Sequence, residues 1–131
     1  MTKAKPLPVH IPAGAPEIKV MDEARLGGLR YRMLVDGSGG PTNDLCQGIF
    51  YLRAGHAESL HSHEVPETMY VLSGHGHAIL GDQRVALAPG DTLFIPAGQM
   101  HGFEAAEDME MLYTFPTARY ADVTYTYDEA A

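Results

Sequence analysis

His61 and His63 stand one residue apart in "LHSHEVPETMYVLSG" (60–74), and Glu67 follows across Pro66, where a β-type hydrophobic run begins. Ionisable groups entering a core cost free energy unless they are paired or bound to something. Either these residues face water as a polar edge, or they converge on a cation. On an extended chain, side chains at i and i+2 share a face. Both imidazoles can therefore point the same way, and the even spacing to Glu67 lets its carboxylate join them. His101 arrives from a separate run after "PAGQM". Three imidazoles and one carboxylate suit one divalent transition-metal ion such as Fe, Mn, Ni, Cu or Zn. In octahedral geometry such a site leaves two positions for a bidentate oxygen ligand, or for substrate and O2 side by side.

The same parity picks out neighbours. Met69 and Val71 share the phase of Glu67, Phe103 shares that of His101, and Met111, Tyr113 and Phe115 form the inward face of a later run. Met69, Phe103, Met111 and Phe115 are the expected substrate-pocket residues, against the plainer alternative that they are barrel core. Tyr113 alone among these has a proton to give, which makes it the expected acid or base. Glu64 lies between the ligand candidates but faces away. His75 and His77 repeat the H-x-H pattern without a carboxylate at the right spacing, so an outward strand face is expected. His56 falls in a loop, and His10 in a proline-rich stretch.

The elements that must position these groups are short β runs. "LRYRMLV", "LCQGIFYLRAG", "ETMYVLSG", "HAILGDQRVALAPG", "DTLFIPAG", "HGFEAAED", "MEMLYTF" and "DVTYTYDE" are rich in β-branched, aromatic and aliphatic residues, punctuated by Gly, Pro or Asp. "LGDQR" reads as a tight hairpin turn at Gly81 and Asp82, and "DGSGGPTND" as a loop. "MDEARLGGL" is either one helical turn or a strand lead-in. No useful helix-period stretch separates the strands, so the chain is expected to be all-β, a sandwich or small barrel with Greek-key or jelly-roll connections.

The residues also match a family. Residues 55–74 have the form G-x5-H-x-H-x3-E-x6-G, and residues 90–101 the form G-x5-P-x-G-x2-H. Both resemble the paired signature motifs of the cupin superfamily, and the resemblance covers about residues 25–127. It implies a small jelly-roll β-barrel with His61, His63, Glu67 and His101 pointing into its mouth. Ala105 stands where the family often has Asn, which leaves the ligand set untouched. Cupins include dioxygenases, isomerases, lyases and ligand sensors, and fold does not select among them. An Fe-type dioxygenase acting on a small oxygenated metabolite is the first expectation. The alternatives are a non-redox isomerase or lyase acting on a uronate-like or hydroxy-acid substrate, and a non-catalytic small-molecule-binding module. The tail "FPTARYADVTY" resembles small cupins that act on unsaturated uronates.

A length of 131 residues fits one domain, here 25–131, preceded by an arm (1–24) whose Pro6, Pro8, Pro12 and Pro16 forbid helix. A net charge of −8 argues against nucleic acid or an anionic membrane as partner. The lone Cys46 can form no intrachain disulfide and reads as a small buried hydrophobe in a reducing cytoplasm. No apolar run after Lys3 and Lys5 could serve as a signal-peptide core, and none approaches a membrane span. Open strand edges and the extended arm favour a homodimer.

Overall fold

Alternation builds the central strands. Cys46, Gly48, Phe50 and Leu52 turn inward along one strand, Glu67, Met69 and Val71 along a second, and Met109, Met111, Tyr113 and Phe115 along a third. The computed structural model describes residues 7–21, 29–38, 42 and 44–127. In chain order its strands are β1 (Ile18–Val20), β2 (Arg30–Val35), β3 (Cys46–Leu52), β4 (Ala57–Ser62), β5 (Glu67–Ser73), β6 (Gly76–Leu80), β7 (Gln83–Leu87), β8 (Thr92–Ile95), β9 (His101–Ala105), β10 (Met109–Phe115) and β11 (Thr126–Tyr127). "MDEARLGGL" lies largely outside the described residues. Among those residues, no helix is long and apolar enough to cross a membrane.

The strands form two antiparallel sheets, ordered β1-β2-β3-β10-β5-β8 and β11-β4-β9-β6-β7. Setting aside β1, β2 and β11, two four-stranded sheets of order 3-10-5-8 and 4-9-6-7 face each other, which is the jelly-roll order. The core between them includes Phe50, Leu52, Ile95, Phe103, Met109, Met111 and Phe115. Burying each such side chain contributes about 1.5–3 kcal/mol, so the barrel wall is a stiff support for polar groups set into it. Cys46 is fully buried, and burial pushes its thiol up to about 11.

Two strands depart from the residue pattern. The polar run Ala57–Ser62 forms β4, a strand that hydrophobic alternation does not predict. It owes its place to pairing with β9 and β11. "DVTYTYDE" contributes only Thr126–Tyr127 as strand, because residues 120–122 form a 3-10 turn instead. Within the expected arm, Ile18–Val20 pair with β2, and Arg32 Nη1 donates to Ala13 O at 3.2 Å.

Candidate metal centre

Two strands deliver the imidazoles. His61 lies near the end of β4, His63 just beyond it, and His101 opens β9 directly opposite His61. The two motif loops are tied by Gly98, which takes φ +79°, a backbone conformation L side chains rarely adopt, and donates its N–H to His63 O at 2.8 Å. His61, His63 and His101 are all buried, and each offers a ring nitrogen within 4.8 Å of the others.

The backbone sets their tautomers. His61 Nδ1 meets Ser59 O, His63 Nδ1 meets Val65 O and His101 Nδ1 meets Gln99 O, each at 2.8 Å. A carbonyl oxygen only accepts, so every Nδ1 carries the proton and every Nε2 presents a lone pair. Glu67, buried at the start of β5, brings Oε1 to 3.3 Å from His63 Nε2 and 3.6 Å from His101 Nε2. Neither of those Nε2 atoms makes a hydrogen bond. Buried lone pairs facing a carboxylate repel one another until a cation enters, so the donors fit a divalent metal ion of the borderline class. Burial opposes charge on both His63 and Glu67. Their attraction outweighs it, holding His63 above its ordinary value and, together with His101, Glu67 below its own. His61 goes the other way, to about 4, through burial and the neighbouring His101.

A hollow of about 20 Å³ lies beside the imidazoles, lined by His61, Glu67, Met69, Phe103 and Tyr113 among others. Of the expected pocket residues, Met69 and Phe103 line it. Phe115 packs edge-on against His63 at 5.1 Å, whereas Met111 is fully buried in the core and reaches no wall of the hollow. Tyr113 lines it with its ring, but its hydroxyl donates to Met33 Sδ at 3.1 Å. That bond uses the proton for which the residue was singled out. Glu64, His56 and His75 are exposed as expected, and His75 pairs with Glu107.

Sequence reasoning misses three groups here. Tyr125 stacks flat on His61, with centroids 4.6 Å apart and planes within 9°, and its hydroxyl lies 3.0 Å from that of Tyr120. Both come from the C-terminal segment, which is pinned at one end by Tyr120 N donating to Asp36 Oδ1 and at the other by β11 pairing with β4. Burial raises the pKa of both phenols, so they stay protonated. Met21, Tyr31, Tyr120 and Tyr125 also wall a second, open hollow of about 450 Å³ that Lys19, Asp36 and Ser38 help to line. These four side chains therefore form a partition between the imidazoles and the vestibule. The third missed group is Glu58, 8% exposed, with Oε2 at 4.0 Å from His61 Nε2. Strict alternation sends Glu58 outward when His61 points in. The β4–β9 register slips by one residue between Glu58 and His61, and this bulge turns both inward.

A jelly-roll barrel with three convergent histidines at its centre defines a class before any comparison is made. A cupin-domain family model matches residues 48–115, more than half of the chain, and the chain belongs to that family. Dimethylsulfoniopropionate lyase DddW of Ruegeria pomeroyi is 28% identical over 106 residues, which are 80% of this chain and 70% of that protein. The polyketide cyclase RemF from Streptomyces resistomycificus superposes with a TM-score of 0.79 at 22% identity, covering 92% of this chain and 85% of that one, a likeness of fold alone. KdgF from a Halomonas species superposes with a TM-score of 0.63 at 27% identity, over 72% of this chain and 84% of that one.

Proposed function

We propose that this cupin binds one divalent metal ion through His61, His63, His101 and Glu67, and uses it for non-redox proton-transfer chemistry, a lyase or isomerase reaction on a small oxygenated metabolite. The observation that carries this reading is the Tyr120–Tyr125 hydroxyl pair. It is hydrogen-bonded, it forms part of the partition, and Tyr125 rests on His61. Eliminations and isomerisations need a proton moved between the reacting carbon or leaving group and solvent. A pair of protonated phenols spanning from the imidazoles to the vestibule provides that route. A bound divalent ion supplies positive charge that polarises a carbonyl or carboxylate oxygen and acidifies the neighbouring C–H. Around it, Tyr125 donates or holds the proton, Tyr120, whose hydroxyl reaches Met21 Sδ only at 3.9 Å, relays it, and Phe103 and Met69 exclude water. The relative named as a lyase supports elimination chemistry. An iron oxygenase, the first expectation once the family resemblance is stated, would use the same donors but leaves the hydroxyl pair without a task.

The test is reconstitution of the metal-free protein with Fe²⁺, Mn²⁺, Ni²⁺ and Zn²⁺, screened against hydroxy acids, uronates, enediols and catechols with and without air. Turnover without oxygen by several metals, including Zn²⁺, is expected. Tyr125→Phe and Tyr120→Phe should lower kcat by roughly a hundredfold with metal content unchanged, while Tyr113→Phe changes little. Oxygen consumption confined to the Fe²⁺ form would establish the oxygenase instead. Tight ligand binding with no turnover by any metal would indicate a sensor.

A further inference from the structure

Glu58 is more than nine-tenths buried and lines the inner hollow. His61 Nε2, a nitrogen already assigned to the metal, lies 4.0 Å from its Oε2, and Glu67 is close enough to act on its charge. Burial and the charge of Glu67 push the Glu58 carboxyl well above the usual carboxylate range, which leaves it a neutral acid, and a buried polar side chain facing a hollow is one that a ligand can complete. The bulge in β4 is what turns it inward, and Gly102 on the facing strand makes room for the bulge, since a Cβ there would sit 2.6 Å from Glu58 O. The surrounding hollow, at about 20 Å³, admits a group the size of a water molecule or hydroxyl, while the 450 Å³ vestibule holds the rest of a ligand.

We infer that Glu58 is a specificity-determining residue: it accepts a hydrogen bond from a substrate hydroxyl adjacent to the oxygen that faces the metal site, which makes 2-hydroxy acids and their hydroxy-carbonyl analogues the ligand class. This rests on the metal-site reading above. The hydroxyl enters the inner hollow beside His61, and the partition of Met21, Tyr31, Tyr120 and Tyr125 parts to admit it. A site built to hydrogen-bond a substrate hydroxyl discriminates against the analogue that lacks it, because the polar group of the site then loses its partner.

The experiment uses full-length protein loaded with Zn²⁺. Calorimetry compares lactate with propionate and malate with succinate, for the wild type, Glu58→Gln and Glu58→Leu. The wild type is expected to prefer the hydroxylated member of each pair by roughly ten- to hundredfold. Glu58→Leu should erase the preference, Glu58→Gln should keep part of it, and both should retain one metal per chain. Glu58→Leu should also raise Tm, since it removes a polar group whose burial costs free energy. Absence of a preference in the wild type, its persistence in Glu58→Leu, or a lower Tm in that variant would each overturn the inference. Loss of metal from both variants would overturn it too, by making Glu58 a metal ligand. A wild type that takes up no Zn²⁺ would instead bring down the metal-site reading itself.

Discussion

Each imidazole of the proposed metal site should be needed for it, and metal uptake tests them one at a time. His61→Ala, His63→Ala and His101→Ala should each lose most of the bound metal by elemental analysis, whereas His75→Ala and His77→Ala should retain it. The imidazoles must be deprotonated to bind, so affinity falls with pH. Because Glu67 outweighs the effect of burial and holds His63 above 6.5, that loss should begin near neutrality, as competitive metal titration at stepped pH would show. Stability of the metal-free protein carries a second pH signature. His61 is held at about 4 when folded against 6.5 when free, so the unfolded chain binds the proton more readily. The folded state therefore loses stability as pH falls from about 6.5 to 4, by about 3 kcal/mol from this group alone. His63 contributes in the opposite sense, stabilising at low pH and losing that contribution as pH rises through its raised value. Urea denaturation at pH 7 and pH 4.5 should show a smaller acid loss in His61→Asn than in the wild type.

At the scale of elements, the β4 bulge matters most, since it places Glu58 and His61 on the same side. It packs against Gly102 so closely that an added Cβ would meet the backbone oxygen of Glu58 at 2.6 Å and Leu60 N at 3.4 Å. Backbone yields less readily than the end of a flexible side chain. Gly102→Ala should therefore cost about 1–3 kcal/mol by urea denaturation and weaken metal binding by displacing His61. Unchanged stability with full metal content would show that the bulge relaxes at no cost. The C-terminal segment is the second element of consequence. Its contacts with Asp36 and with β4 join the two sheets across the partition and bring Tyr120 and Tyr125 to the imidazoles.

For the whole molecule, the two outer strands of the six-stranded sheet are β1 and β8. Ile18 and Val20 on β1 are each 57% exposed. An uncovered edge with apolar side chains is a template for pairing, and we propose a homodimer assembled through the N-terminal segment. Light scattering at roughly tens of micromolar should give the dimer mass, and deletion of residues 1–20, which removes β1, should shift it towards monomer. A full-length monomer at that concentration would exclude this assembly.

The sequence by itself determined the all-β class, the jelly-roll family and the residues that converge. Period-two alternation and fixed motif spacing are local properties, and His61, His63, Glu67 and His101 each sit at a position the local pattern dictates. The positive φ of Gly55, Gly74, Gly90 and Gly98 follows from the same motifs. Tertiary structure alone decided what stands around those donors. Glu58 faces inward through a register slip against β9, which no property of β4 encodes. Tyr125 reaches His61 because a segment more than sixty residues later in the chain is anchored to Asp36 and β4. Tyr113 has the expected parity, yet its proton goes to Met33, a thioether supplied by β2. Parity tells which face a side chain takes, but where its polar atom ends depends on the strand packed against it.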